Sequence, residues 1–89
     1  MITMTDEAAS LIVDLVNKSD LPSSAGLRLS TDPFLGSLAM SLSPRAQIHD
    51  LVIDQDGALL FLDPPVADRL AEQTLRAQLL ERPAFYLTS

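Results

Sequence analysis

The residues best suited to chemistry are one histidine and the acids that follow it. His49 stands beside Asp50, and Asp54 follows shortly after, so one imidazole and two carboxylates could act as metal ligands. Catalytic and metal-binding histidines usually have identifiable partners, whereas this chain has one histidine and no cysteine. We therefore expect His49 to be a polar residue that precedes a strand. Weak metal binding by His49, Asp50 and Asp54 remains the alternative.

The segment Asp54-Gln55-Asp56-Gly57 has the acidic beginning of a calcium-binding loop. Such a loop needs a glutamate at its twelfth position, which falls here at Pro65, and the intervening residues are apolar. An Asp-Gly pair between two apolar runs is typical of a hairpin turn. The pattern predicts a turn and no calcium site.

No constellation of catalytic side chains can be recognised in the remaining sequence. The acids Asp63, Asp68, Glu72 and Glu81 are dispersed, and the G-x-S-x-G motif and the glycine-rich phosphate-binding motifs are absent. The lack of cysteine excludes disulfides, thiol nucleophiles and thiolate-held metals among these residues. We therefore expect no enzymatic activity and no cofactor.

The charge of the chain limits its partners. Twelve acidic residues face six basic ones, which gives a net charge of -6. An acidic surface repels phosphate backbones and anionic lipid headgroups, so neither a nucleic acid nor a membrane is expected as partner. No apolar run approaches the length of a membrane span, and the first residues lack the basic region of a signal peptide. The expected location is the cytoplasm.

Length and composition predict one packed domain, residues 1–89. Apolar residues make up 47% of the 89 residues, which is enough for a hydrophobic core. A domain of this size buries a modest share of its surface, and small domains commonly bury more by associating with another chain. We expect a homodimer or another homo-oligomer.

The pattern of apolar residues predicts an α+β fold. A helix over about 5–18 begins with Thr5 as its cap, and its apolar stripe consists of Ala8, Leu11, Ile12, Leu15 and Val16. Alternating or continuous apolar residues then predict strands, mostly antiparallel, at 27–30, 38–42, 51–53 and 58–62. The segment from Pro65 onward fits two interpretations. One is a single helix to about Leu80, and the other is a short helix at about 65–72 followed by a C-terminal hairpin.

Taken in order, these segments resemble the HesB-like family, the A-type iron–sulfur carriers related to IscA. The resemblance rests on five segments: Ile2–Ala9, Gly26–Leu29, Ser37–Leu42, Leu51–Gly57 and Leu60–Asp63. It implies a compact, mostly β domain with an N-terminal helix and a short second helix. It also favours the interpretation with a C-terminal hairpin.

The resemblance further implies where cluster ligands would lie. The family holds iron or an iron–sulfur cluster with three cysteines, one in a central loop and two in a tail. The loop position corresponds to about Leu35, within Phe34-Leu35-Gly36-Ser37, and the tail would begin near Ser89. Clusters are held almost entirely by thiolates, so no cluster ligand can be assigned to a residue of this chain. The expected function is a non-catalytic binding or protein-interaction module, with a link to iron–sulfur biogenesis.

Overall fold

The computed structural model describes all residues, 1–89, and contains two helices and seven strands. The helices are α1 (Asp6–Lys18) and α2 (Pro64–Arg69). The strands are β1 (Thr3–Met4), β2 (Gly26–Thr31), β3 (Leu38–Ser43), β4 (Leu51–Gln55), β5 (Ala58–Leu62), β6 (Thr74–Gln78) and β7 (Ala84–Thr88). The predicted α+β class and the order of the predicted elements are confirmed.

The N-terminal helix forms as its sequence predicts. The Thr5 hydroxyl accepts a hydrogen bond from the backbone N–H of Ala8 at 3.2 Å, and two acids occupy the first turn. Of the predicted apolar stripe, Ala8, Leu11, Ile12 and Val16 are buried and Leu15 is half-buried, and Ala9 is buried in addition. This face covers the inner side of the strands and contributes to the core.

The strands form two sheets. The larger has the order β3-β2-β5-β4, and the smaller has the order β1-β6-β7. The pairs β2–β3, β4–β5 and β6–β7 are antiparallel, as predicted, whereas β2–β5 and β1–β6 are parallel. Sequence patterns do not reveal β1, because it has two residues and its partner lies about seventy residues further along the chain.

The segment after Asp63 resolves the two interpretations left open by the sequence. The Asp63 carboxylate accepts the backbone N–H of Val66 at 3.0 Å, and Pro64 occupies the first helical position. The helix ends at Arg69, and the antiparallel pair β6–β7 follows. A short helix and a C-terminal hairpin are therefore correct, and one long helix is wrong.

The core lies between α1, α2 and the inner faces of both sheets. Its largest fully buried side chains are Ile2, Ile12, Leu29, Leu60, Leu62, Leu75 and Val66. Gly26 lies so close to β5 that a Cβ atom would stand 2.3 Å from the carbonyl oxygen of Leu59. Only glycine fits this position, because the clash is with backbone and cannot be relieved by turning a side chain.

Residues 44–50, here called the crossing segment, connect the two opposite edges of the larger sheet. The segment ends on the face of the sheet that α1 does not cover, where Arg28 forms an ion pair with Asp50. Arg28 lies on this face because the residues on either side of it, Leu27 and Leu29, point into the core. The neighbouring Phe61 shares the face and is 1% exposed. Side-chain exposure is 12% for Arg28 and 1% for Asp50.

Candidate functional site

The loop from Asp32 to Ser37, here called the β2–β3 loop, is ordered by its first residue. One carboxylate oxygen of Asp32, Oδ1, accepts the backbone N–H groups of Phe34 and Leu35, each at 2.8 Å. The Asp32 carbonyl accepts the N–H of Gly36 at 2.9 Å, and the Asp32 N–H donates to the carbonyl of Ser37 at 2.7 Å. The loop therefore has a defined backbone, held together by a side chain that belongs to it.

These hydrogen bonds also change the acidity of Asp32. The N–H of Leu35, and then that of Phe34, stabilise the charged carboxylate and hold the pKa of Asp32 below its usual 3.8. The carboxylate faces solvent, so both hydrogen bonds are formed at the surface. At neutral pH the loop is consequently held by an ionised acceptor.

Two further groups fix the far side of the loop. Gly36 has φ +68°, a left-handed conformation that glycine adopts without strain. Its carbonyl accepts a hydrogen bond from Nη1 of Arg69, the last residue of α2, at 3.2 Å. The loop is therefore tied to α2 as well as to the two strands it connects.

The tip of the β2–β3 loop presents two large apolar side chains to solvent. Phe34 is 94% exposed and Leu35 is 81% exposed. Apolar side chains with this exposure gain nothing from folding, since neither contributes to the core. Leu35 is also the residue at which the family resemblance places a cluster ligand, so this loop is the candidate functional site.

The structure gives two of the three candidate metal ligands, Asp50 and Asp54, hydrogen-bond partners within the protein. His49 is exposed in the crossing segment with φ +74°, a conformation in which histidine is over-represented. Oδ2 of Asp50 accepts from Arg28 and, at 2.8 Å, from the N–H of Gln47. Oδ1 of Asp54 accepts the N–H of Gly57 at 3.1 Å within the predicted hairpin turn. No group of three or more His, Cys, Asp or Glu side chains is arranged to hold a metal ion.

Sequence reasoning did not identify the residues that organise the candidate site. The run Asp32-Pro33-Phe34-Leu35-Gly36 indicates a turn or a bulging loop, but the capping role of the Asp32 carboxylate was not predicted. Arg69 and the Arg28–Asp50 pair could not have been found, because their partners are 33 and 22 residues away in sequence. Contacts of that kind depend on the tertiary fold.

An open concave surface lies elsewhere, along α1 beside the β4–β5 turn. It is an open groove of about 400 Å³ lined by Asp6, Ala9, Ser10, Val13, Asp14, Asn17 and Asp56. Its polar groups are partly engaged, since Asp6 accepts from Gln55 and Asp14 pairs with Lys18. Its polar lining consists of three aspartates, Ser10 and Asn17, without a histidine or a basic side chain.

Neither helix is long and apolar enough to cross a membrane. The longer one, α1, has 13 residues and carries charged side chains on its outer face.

Comparison with known proteins shows that this architecture is shared with solved structures. No protein-family model and no curated protein sequence matches the chain. The crystal structure of Escherichia coli SufA, involved in the biosynthesis of iron–sulfur clusters, matches with a TM-score of 0.80 and 24% identity. That match covers 99% of this chain and 84% of SufA.

Two other solved structures support the same conclusion. IscA with a [2Fe-2S] cluster matches with a TM-score of 0.74 and 19% identity, over 100% of this chain and 85% of IscA. A protein from Aquifex aeolicus, solved by solution NMR, matches with a TM-score of 0.75 and 18% identity. That match covers 99% of this chain and 90% of the other. The chain has the SufA and IscA fold, and its sequence lacks the cysteines that the resemblance associates with cluster binding.

Proposed function

We propose that this protein is a non-catalytic interaction module that keeps the fold of the A-type iron–sulfur carriers and does not carry a cluster. It works in the cytoplasm, beside the iron–sulfur assembly proteins, through contacts with another protein. The fold it shares with SufA and IscA supports the link to iron–sulfur assembly. The acidic surface supports a protein partner over a nucleic acid or a lipid surface.

One observation carries the proposal: an ordered loop presents Phe34 and Leu35 to solvent. Surface apolar residues are common singly, but here two large ones are adjacent at a tip that Asp32 and Arg69 hold in place. A pre-ordered apolar tip loses little conformational entropy on binding, which favours affinity. Phenylalanine and leucine at the loop are also poor replacements for a thiolate, since neither can ligate iron.

The absence of cluster binding is tested by anaerobic reconstitution with ferrous iron and sulfide. After desalting, we expect no stoichiometric chromophore in the visible spectrum, because the chain offers no thiolate and only one imidazole. SufA treated in the same way serves as the positive control for the procedure. A stable chromophore of fixed iron content in this protein would disprove the proposal.

The role of the loop is tested by a double variant, Phe34→Ser with Leu35→Ser. Ile48→Ser is the matched control, because Ile48 is 86% exposed and lies in the crossing segment. Purified iron–sulfur assembly proteins from the same cell are titrated into each variant and followed by calorimetry. We expect one of these proteins to bind the unchanged protein and the Ile48→Ser variant with equal affinity. Its affinity for the double variant should be at least tenfold lower. Equal affinity for all three proteins would exclude the loop as the contact.

A further inference from the structure

The edge strand β3 lacks every common device that protects an edge from pairing. Its sequence, Leu38-Ala39-Met40-Ser41-Leu42-Ser43, contains no charge and no proline, and its six-residue register with β2 has no bulge. Apart from the pairing with β2, no backbone hydrogen bond involves Leu38–Ser43. The strand therefore presents a regular row of free N–H and C=O groups to solvent.

The side chains of β3 are arranged almost symmetrically about Met40. Leu38, Met40 and Leu42 lie on the face that carries the buried Leu27 and Leu29 of β2. Ala39 and Ser41 lie on the other face and are small and exposed. Read in either direction from Met40, the strand presents a small residue and then a leucine. In an antiparallel pair of two such strands, apolar side chains therefore lie opposite apolar side chains, and small ones lie opposite small ones.

The charge distribution favours a second copy of this chain at the β3 edge. Every copy carries a net charge of -6, so most faces would repel one another on self-association. From Pro33 to Pro44 no residue is ionisable, and this is the longest such stretch in the sequence. The nearest charge across the sheet is Arg28, opposite Ser41, and Asp50 neutralises it. Two copies can meet at this edge without opposing like charges.

The edges of the other outer strands are less open, and one of them, β1, has only two residues. On β4, Asp54 lies within the strand, so self-pairing would bring carboxylates together. On β7, the guanidinium of Arg76 reaches from β6 to the hydroxyl of Thr88, with Nε 2.9 Å from Oγ1. A positive charge therefore lies at that edge. Of the three longer outer strands, β3 is the one whose edge and cross-strand neighbours carry no free charge.

We propose that two copies of this chain associate through antiparallel pairing of β3 with β3 about a two-fold axis at Met40. Leu38 of each copy then lies opposite Leu42 of the other, and the two larger sheets join into one sheet of eight strands. The contact covers the partly exposed side chain of Met40, which is 38% exposed. This inference does not depend on the proposed function, since it concerns β3 and leaves the loop tip unassigned.

The contact is small compared with standard interfaces of roughly 800 Å² per partner, so the dimer is of the weak, reversible class. Sedimentation equilibrium from low micromolar to millimolar protein is expected to show the mass rising from 9.6 kDa to about twice that value. The variant Met40→Lys sets two ammonium groups opposite each other and is expected to raise the dissociation constant at least tenfold. The matched control is Val52→Lys on β4, because Val52 is 46% exposed, and it should leave the constant unchanged.

A cysteine-free chain also allows a direct test of the register. Residues directly opposite in an antiparallel pair have Cα atoms about 4.5–5.5 Å apart, which a disulfide can bridge. Under mild oxidation Met40→Cys should form a covalent dimer rapidly, whereas Val52→Cys should not. Leu38→Cys should cross-link quickly with Leu42→Cys and slowly with itself.

Three results would overturn the inference. They are a monomeric mass at every concentration, a dimer that Met40→Lys leaves intact, and equal cross-linking of Met40→Cys and Val52→Cys. Circular dichroism of each variant verifies folding. If Met40→Lys does not fold, the cross-linking rates decide the question, because cysteine is close to methionine in polarity and is tolerated at a partly exposed position.

Discussion

The two loops that flank β3 are built with the same device and differ in what surrounds it. In the β2–β3 loop Asp32 accepts the N–H groups of Phe34 and Leu35, and in the crossing segment Asp50 accepts the N–H of Gln47. Asp50 is also paired with Arg28 and is almost completely buried. Asp32 faces solvent and holds only its own loop.

This difference separates a loop that stabilises the fold from a loop that presents side chains to solvent. The crossing segment connects the two edges of the sheet, so its aspartate is tied to the tertiary fold. The β2–β3 loop presents Phe34 and Leu35 without contributing to the core. Changes in the first loop should act on global stability, and changes in the second should act locally or on binding.

The largest expected effect follows from removing the buried carboxylate. Asp50→Ala should lower the free energy of unfolding by about 3 kcal/mol, because Arg28 is left without its counter-charge and the N–H of Gln47 without its acceptor. Urea denaturation followed by circular dichroism measures the change. Asp14→Ala is the control, since it breaks the Lys18–Asp14 pair, whose side chains are 73% and 52% exposed. That change should cost less than about 1 kcal/mol. Equal losses for both variants would contradict the contrast between the loops.

The ion pair also illustrates where sequence reasoning stops. Local patterns predicted α1, the alternating strands and the Asp-Gly turn, because each depends on residues close together in the chain. The pairing of Asp50 with Arg28 depends on a connection that crosses the sheet, which no local pattern encodes. As a result, Asp50 was considered as a metal ligand when its carboxylate is already engaged by a guanidinium.

The candidate site was predictable only in part. The resemblance to the carriers directed attention to Phe34–Ser37, and the pattern Asp32-Pro33-Phe34-Leu35-Gly36 indicated a turn. Neither source gave the exposure of Phe34 and Leu35, because burial depends on what the rest of the fold places around a loop. The parallel pairing of β1 with β6 was missed for the same reason.

A smaller effect on the free energy of unfolding is expected from relieving backbone strain in the crossing segment. His49 has φ +74°, which costs roughly 1–2 kcal/mol for a residue with a Cβ atom. His49→Gly removes that cost but increases the freedom of the unfolded chain, which offsets about 0.4–1 kcal/mol. We expect a net gain of about 0.5–1 kcal/mol in the free energy of unfolding, measured by urea denaturation. His49→Val should lower stability instead, because a β-branched residue tolerates this conformation poorly. Stabilisation by both variants would show that the backbone is not the cause.

In the β2–β3 loop, loss of the organising carboxylate should have a local effect only. Asp32→Ala should speed hydrogen exchange of the Phe34 and Leu35 amides, because both lose their acceptor, while the melting temperature stays unchanged. Asp32→Asn is the control, since its amide oxygen can still accept both hydrogen bonds. A large drop in melting temperature for Asp32→Ala would mean that the loop supports the fold after all.

Acid should reproduce this local effect in the unchanged protein. The pKa of Asp32 is lowered in the folded state, so its contribution is complete above the unfolded value near 3.8 and is lost as the pH falls through the folded pKa. NMR titration should show the amide signals of Phe34 and Leu35 moving together below about pH 4. The Asp32→Asn variant should not show this transition. Movement of these signals near neutral pH would point to a different titrating group.

The smallest effect is expected from metal ions, although it is the one that tests the alternative function directly. Of the three candidate ligands, Asp50 is held by Arg28, Asp54 accepts from Gly57, and only His49 is free at the surface. Calorimetric titration with iron(II), zinc and manganese should therefore show no saturable binding in the micromolar range, and His49→Ala should behave like the unchanged protein. Saturable binding that disappears in His49→Ala would establish the alternative instead. A metal that binds only the native state must raise the free energy of unfolding of the protein by mass action. A real site should therefore raise stability in the same titration, whereas an ion that only disrupts the Arg28–Asp50 pair should lower it.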